Sequence, residues 1–170
     1  MNNPAQPSAG GKGKEQFAAA IGAIVTAIGD RALDASLEAW LNAAYPPGSD
    51  EFEAIAILVL QGVQESWLCE HQTGRLRHGR VIEPGTQAGR FSVDVVLMED
   101  MQGQPHAHPA GEIGLILPWT PAAHFDGKRE GWYVAAPGSA HSPAVTGGAA
   151  FILYLLPGGA ISLTPQQPAA

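Results

Sequence analysis

Two histidines and a glutamate are spaced so that their side chains can meet at one metal ion. His106 and His108 are separated by one residue, so an extended strand would point both imidazoles to the same face. The Pro-Ala-Gly turn that follows can return the carboxylate of Glu112 toward them. This mixture of nitrogen and oxygen ligands suits iron, manganese, zinc or nickel. The segment therefore predicts a divalent-metal site and leaves the identity of the metal open.

A second segment supplies a third imidazole. Gly131 and Pro137 bracket a short apolar run, and Gly138 stands just before His141. This order is typical of a strand, a tight turn and a returning strand that begins near the histidine. We expect His141 to complete the metal site. Glu112 is expected either to ligate the metal or to act as a general base beside it.

The elements that must position these groups change character along the chain. Apolar residues recur at steps of three and four through Phe17–Ile28 and Leu33–Leu41, which indicates two amphipathic helices. The same periodicity predicts a third helix from Glu51 to Cys69. After His71, glycine and proline punctuate short β-branched segments, which indicates strands.

The strand candidates are regularly spaced, which favours a sandwich or barrel over alternating βαβ units. They are Leu76–Ile82, Phe91–Met98, Gln104–His108, Ile113–Leu117, Gly131–Ala135, Ser139–Val145, Ala149–Leu156 and Ala160–Leu163. The predicted organisation is a disordered tail at 1–14, a helical region at 15–72, a β domain at 73–164 and a flexible tail at 165–170.

Composition excludes several classes of protein. The 170 residues are 45% hydrophobic and 15% charged, as expected for one folded domain. A net charge of −7 leaves no cationic stripe, so we expect no nucleic-acid partner. The apolar stretches are too short to span a membrane, and the single cysteine, Cys69, fits a reducing compartment. We therefore expect a cytoplasmic protein.

Both metal-ligand segments resemble motifs of the cupin superfamily. The pattern His-x-His-x3-Glu over residues 106–112 is similar to the first cupin motif, and Gly-x5-Pro-Gly-x2-His over residues 131–141 is similar to the second. The resemblance implies a mainly β, α+β chain, in which about three N-terminal helices precede a cupin-type antiparallel β-barrel. It also places the metal site inside the barrel and favours a homodimer.

The chain resembles one narrower family, the 4-hydroxylaminobenzoate lyases of nitroarene breakdown. The runs HAHPAGEIG from His106, PGSAHSPAVTGG from Pro137 and LYLLPGG from Leu153 carry this resemblance. It implies a carbon-nitrogen lyase that converts 4-hydroxylaminobenzoate and water to 3,4-dihydroxybenzoate and ammonia. Two alternatives stay open: a metal-dependent cupin dioxygenase that acts on a small aromatic or thiol substrate, and a non-catalytic cupin that binds a small molecule.

Arginines that precede the first motif are candidates for binding the carboxylate of such a substrate. Arg77, Arg80 and Arg90 lie within a short stretch of the chain. A guanidinium matches a benzoate carboxylate in shape and charge. We predict that one or more of the three binds the substrate.

Aromatic residues of the predicted strands complete the candidate site. Trp132 has the flat surface needed to stack on an aromatic ring, and we predict that it binds the substrate. Tyr133 and Tyr154 carry hydroxyls that can donate a proton, and we predict catalytic roles for them together with Glu112.

Overall fold

Three helices precede the strands in the computed structural model, which describes residues 9–163. The helices are α1 (Ala9–Ile28), α2 (Ala35–Ala44) and α3 (Asp50–Gln64). The predicted tails lie outside the described residues at 1–8 and at 165–170. No helix in the described part of the chain has the length and apolar character needed to cross a membrane.

The strands of residues 9–163 form two antiparallel sheets. They are β1 (His71–Thr73), β2 (Leu76–Ile82), β3 (Phe91–Gln102), β4 (His106–His108), β5 (Glu112–Pro118), β6 (His124–Phe125), β7 (Gly131–Ala135), β8 (Ser139–His141), β9 (Ala144–Pro157) and β10 (Ser162–Leu163). The large sheet has the order β1-β2-β3-β9-β5-β7, with β6 paired to β9, and the small sheet has the order β10-β4-β8.

This architecture confirms the mainly β, cupin-type fold with three N-terminal helices. The barrel is not continuous, because no strand of the small sheet pairs with a strand of the large sheet within the described residues. The strands β4, β8 and β10 contain only two or three residues each, and in the part of the chain that the structure describes they pair with one another and not with the large sheet, so the two sheets do not close into a cylinder.

The first helix begins at Ala9, inside the segment 1–14 that was expected to be a tail. Gly13 of this helix is buried, and a Cβ built on it would lie 2.9 Å from Nε2 of Gln61 and 3.3 Å from the indole of Trp67. The backbone of α1 therefore approaches α3 closely. Such tertiary packing stabilises a helical turn whose glycines and lysines carry no apolar periodicity.

The third helix ends at Gln64 and not at Cys69, because the chain reverses at Ser66. The φ angle of Ser66 is 63°, in the left-handed region, and the backbone N–H of Trp67 donates to the carbonyl of Gly62 over 2.9 Å. The apolar residues after the reversal fold back over the helix, so they continue its hydrophobic pattern without continuing its backbone.

One face of the large sheet packs against the helices, and the other face is directed toward the small sheet. Val93, Val95, Leu153 and Leu155 are fully buried in a core that they share with the three helices. The alternate positions of the same strands point the other way. That second face includes Tyr133 and other residues of a smaller cluster, and it borders the small sheet.

Side chains of α2 cover the outer edge of β7, the last strand of the large sheet. The amide of Asn42 accepts from the N–H of Trp132 over 3.0 Å and donates to the carbonyl of Trp132 over 2.8 Å. Glu38 Oε2 accepts from the N–H of Val134 over 2.8 Å. These contacts fix the strand that carries Tyr133.

The strand predictions differ from the structure mainly around a pair of glycines. Two separate strands, Ser139–Val145 and Ala149–Leu156, were expected on either side of Gly147 and Gly148. Both glycines have positive φ angles, 79° and 128°, but they form a bulge against β3 and not a turn. The chain consequently continues as one long strand, β9, whereas β1 and β6 were not predicted at all.

Candidate metal site

Four side chains converge at one point between the small sheet and the large sheet: His106, His108, Glu112 and His141. One ligand atom from each lies within 4.8 Å of the others. Nε2 of His141 is 3.0 Å from Nε2 of His106 and 3.1 Å from Nε2 of His108. Nε2 of His108 is 2.8 Å from Oε2 of Glu112. The structure therefore brings together the four residues predicted as metal ligands.

Short strands and one glycine turn position these groups. His106 and His108 point to the same face of β4, and His106 is the register partner of His141 on β8. Glu112 begins β5 after Gly111, whose φ of 85° is in the left-handed region that favours glycine. A Cβ on Gly111 would also lie 2.9 Å from the carbonyl oxygen of Ala135. Only glycine returns the chain here without strain.

Hydrogen bonds leave the ligating nitrogens of two histidines free of protons. Nδ1 of His106 donates to the carbonyl of Gln104 over 3.0 Å, and Nδ1 of His141 donates to Oδ2 of Asp126 over 2.7 Å. In the neutral tautomer each ring then presents a lone pair at Nε2. Lone pairs that face one another at 3.0 Å repel unless a cation lies between them. The residues present therefore fit a divalent metal ion.

Burial also favours the neutral, metal-binding form of His106. It lowers the pKa of this imidazole below the usual value of 6.5, although the hydrogen bond to the carbonyl of Gln104 opposes the shift. A lower pKa favours the neutral ring, which is the form that binds a metal. Nδ1 of His108 is buried and has no hydrogen-bond partner among the described residues.

Two tyrosines border the carboxylate of Glu112. The hydroxyl of Tyr133 donates a short hydrogen bond to Oε1, while Oε2 faces His108. Burial raises the pKa of Tyr133 and of Tyr154 well above 10, and the charge of Glu112 raises both further. Both hydroxyls are therefore protonated at neutral pH and available as proton donors.

A row of in-register positions crosses the large sheet beside the site. Arg80 pairs with Asp94, Asp94 with Tyr154, Tyr154 with Gly114, and Gly114 with Tyr133. Nε of Arg80 donates to Oδ1 of Asp94 over 3.0 Å. This row places a guanidinium at one end and the tyrosine that touches Glu112 at the other.

One cavity extends along this row from Arg80 to Tyr154 and reaches two members of the ligand cluster. Its volume is about 650 Å³, and its lining includes His106, Glu112, Tyr154 and Arg80. This volume lies within the range of sites that hold small ligands. A small aromatic acid can therefore reach the metal-ligand cluster and the guanidinium from the same space.

Comparison with known proteins agrees with the resemblance of the two motifs. The family model of 4-hydroxylaminobenzoate lyase matches residues 19–163. The chain is 38% identical over 149 residues to a 4-hydroxylaminobenzoate lyase from Nocardioides sp. (strain LMS-CY), which covers 82% of this chain and 88% of that protein. This chain belongs to the 4-hydroxylaminobenzoate lyase family. A relative from Pseudomonas putida with the same name is 33% identical over 150 residues, covering 78% and 85% of the two chains.

Among solved structures, this member of the 4-hydroxylaminobenzoate lyase family is similar to an RmlC-like cupin protein from Ralstonia eutropha JMP134. The TM-score is 0.43 and the sequence identity is 9%. The similarity covers 58% of this chain and 66% of the other chain.

Not every residue predicted to bind substrate lies at the site of this 4-hydroxylaminobenzoate lyase family member. Arg80 lines the cavity, but Arg77 lines a separate cavity between the large sheet and α3. The guanidinium of Arg90 lies over the ring of Phe91, with 4.9 Å between its central carbon and the ring centroid. Trp132 packs in the core shared with the helices. The structure does not bring Arg77, Arg90 or Trp132 to the cluster, because Arg77 and Trp132 face the helical side of the large sheet and Arg90 lies in the turn before β3.

Asp126 is a site residue that the sequence analysis missed. Its Oδ2 accepts from His141, and its Oδ1 accepts from the N–H of Ala144 over 2.8 Å. Asp126 follows β6 and belongs to neither motif, fifteen residues before the histidine that it contacts. The available signal was the dipeptide Asp126-Gly127, which predicts a turn but not its neighbour in space.

Proposed function

We propose that this protein is a metal-dependent lyase that converts 4-hydroxylaminobenzoate and water to 3,4-dihydroxybenzoate and ammonia. Family membership supports the reaction, and the convergence of three imidazole nitrogens with Glu112 carries the assignment of the site. The N–O bond, the C–N bond and one ring C–H bond of the substrate break, two C–O bonds form, and nitrogen leaves as ammonia. The hydroxylamine oxygen leaves as water while two waters add, so one water is consumed. The N–O bond is reduced as the ring is oxidised, and no external oxidant is needed.

The proposed metal ligands are Nε2 of His106, His108 and His141 together with Oε2 of Glu112. A divalent ion held there would supply Lewis acidity toward the oxygen of the hydroxylamine. Iron, manganese, zinc and nickel all suit this donor set.

Glu112 is proposed to accept a proton during the reaction, and Tyr133 is proposed to donate one. The Tyr133 hydroxyl already donates to Oε1 of Glu112, and its raised pKa keeps the proton in place until a stronger acceptor develops. Departure of the hydroxylamine oxygen creates such an acceptor. The carboxylate of Glu112 can take a proton from the water that attacks the ring. Tyr154, which lines the same cavity, is the second proposed proton donor.

Arg80 is proposed to bind the carboxylate of the substrate. Three strand spacings separate β2 from β5, which places the backbones of Arg80 and Gly114 about 14 Å apart. An extended arginine and a para-substituted benzoate can fill that distance together. Asp94 accepts from Nε, Nη2 donates to the carbonyl of Gly159 over 3.4 Å, and Nη1 lies 3.8 Å from Oε2 of Glu83. A substrate carboxylate would pair with the remaining N–H groups of Nη1 and Nη2.

The decisive experiment is turnover by purified protein under nitrogen. The protein is stripped with a chelator, and portions are reloaded with iron, manganese, zinc or nickel and given 4-hydroxylaminobenzoate. We expect equal amounts of ammonia and 3,4-dihydroxybenzoate with at least one metal and neither product in the stripped protein. Absence of ammonia with every metal would reject the lyase. Product formation only after oxygen is admitted would favour the dioxygenase.

We also propose that the protein acts as a homodimer in the cytoplasm. Exposed apolar side chains support self-association, since Ile57 is 63% and Trp119 is 60% accessible in the single chain. The free thiol of Cys69 supports a reducing compartment. Light scattering coupled to size-exclusion chromatography would give twice the mass of the 17.7 kDa chain, whereas a single-chain mass would contradict the dimer.

A further inference from the structure

We infer that Asp126 is a positioning residue for the metal, because it holds His141 in the tautomer that presents Nε2 to the ligand cluster. This inference rests on the proposed metal site but not on the reaction that takes place there. Its basis is the 2.7 Å contact between Oδ2 of Asp126 and Nδ1 of His141.

Asp126 is held on its other side as well. Its Oδ1 accepts from the N–H of Ala144 over 2.8 Å, and its φ of 48° lies in the left-handed region, which aspartate tolerates better than most residues. Both oxygens therefore have fixed roles. The carboxylate cannot turn away from His141 without losing the contact with the start of β9.

The three histidines of the cluster differ in what their Nδ1 atoms contact. His106 donates to a backbone carbonyl, His141 donates to a carboxylate, and His108 has no partner among the residues described. A carboxylate makes the bound imidazole a stronger electron donor than a carbonyl does. His141 is therefore the one histidine of the cluster whose ring is oriented by a charged side chain. Together, the charges of Asp126 and Glu112 balance those of a divalent cation.

The test uses Asp126→Asn, which keeps the shape of the side chain. Its amide oxygen can still accept from Ala144, but its N–H2 would then face Nδ1 of His141. That arrangement favours the tautomer with the proton on Nε2, which cannot ligate a metal. We expect affinity for Zn²⁺ or Co²⁺, measured by competition with a chromophoric chelator, to fall about 10- to 100-fold.

Asp100→Asn is the matched control. Asp100 also has a left-handed φ, 38°, and its Oδ1 accepts a backbone N–H, that of Gly148, over 3.1 Å. It therefore shares the backbone role of Asp126 without the histidine. We expect its metal affinity to equal that of the wild type, and thermal unfolding of both metal-free variants checks that they are folded.

Nitrogen-15 correlation spectra of the imidazoles in metal-free protein at pH 8 provide a second readout. We expect the proton of His141 on Nδ1 in the wild type and on Nε2 in Asp126→Asn. An unchanged tautomer, or a metal affinity within twofold of wild type, would overturn the inference. Either result would leave the lyase proposal intact. Conversely, protein that binds metal but releases no ammonia would reject the lyase and leave the role of Asp126 open to this same test.

Discussion

The ring of Tyr133 lies directly over Gly114, so closely that a Cβ built on this glycine would be 1.9 Å from the ring. The two residues are register partners on β7 and β5, and Glu112 lies two positions earlier on β5. Because Gly114 has no side chain, the ring of Tyr133 can cross the strand. Its hydroxyl thereby reaches the carboxylate of Glu112.

Gly114→Ala should therefore displace Tyr133 and break its hydrogen bond to Glu112. We expect kcat to fall at least tenfold and the free energy of unfolding to decrease by about 1–3 kcal/mol, a typical cost of overpacking. Gly79→Ala is the matched control on β2, since its added Cβ would meet only ordinary contacts, at 3.5 Å or more. Equal activities of the two variants, measured by ammonia release, would contradict the role given to Gly114.

His106→Ala should remove one metal ligand and its contact with His141. We expect elemental analysis of the purified variant to show strongly reduced metal content, with loss of turnover in proportion. His71→Ala is a suitable control, because His71 is exposed on β1 and lies outside the cluster. Full metal occupancy in His106→Ala would exclude this histidine as a ligand.

Arg80→Gln should weaken binding of the substrate carboxylate. The variant would lose one charge-assisted contact between the guanidinium and the carboxylate, and this contact is partly exposed to solvent. We therefore expect the KM for 4-hydroxylaminobenzoate to rise about tenfold. Phenylhydroxylamine has no carboxylate, so its KM should not change. Arg77→Gln, on the opposite face of the same strand, should leave both KM values unaltered. A rise in KM for both substrates would indicate a structural effect and not carboxylate recognition.

The raised pKa of Tyr154 predicts a stability change at high pH. Burial, followed by the charge of Glu112, disfavours its phenolate in the folded protein, so only the unfolded chain releases the proton above pH 10. The stabilisation is fully present below pH 10 and declines above it, by about 1.4 kcal/mol per pH unit for one proton. In urea unfolding between pH 9 and 11, Tyr154→Phe should show a shallower decline than wild type. Parallel curves would contradict this burial effect.

Two strands of the large sheet could be located from sequence with their bounds because their signals are local. Leu76–Ile82 and Gly131–Ala135 have the bounds that turn residues and alternation predicted. The first helix was extended by contacts of Gly13 with α3, and the continuity of β9 depends on a bulge against β3. Contacts between segments that are distant in sequence do not change the hydrophobic periodicity of either segment, so the sequence pattern does not reveal them.

The same reasoning explains which site residues were missed or misplaced. Arg77 and Arg80 stand at odd and even positions of one strand, so they face opposite sides of the sheet. Trp132 and Tyr133 are adjacent on β7, so their side chains also face opposite sides of the sheet. Strand alternation alone could have assigned the two residues of each pair to opposite faces of the sheet. Only the packing of the helices shows which of those faces is buried against them. Asp126 could be identified as a site residue only from the structure, where it contacts His141.

The contacts of Asn42 and Glu38 with β7 also limit how copies of this chain can associate. Both peptide groups of Trp132 and the N–H of Val134, on the outer side of that strand, are already satisfied by α2. A strand from another molecule finds no open ladder there, so intermolecular β-sheet extension is blocked beside the reaction chamber. Association that preserves this helix must instead use another edge or surface of the molecule.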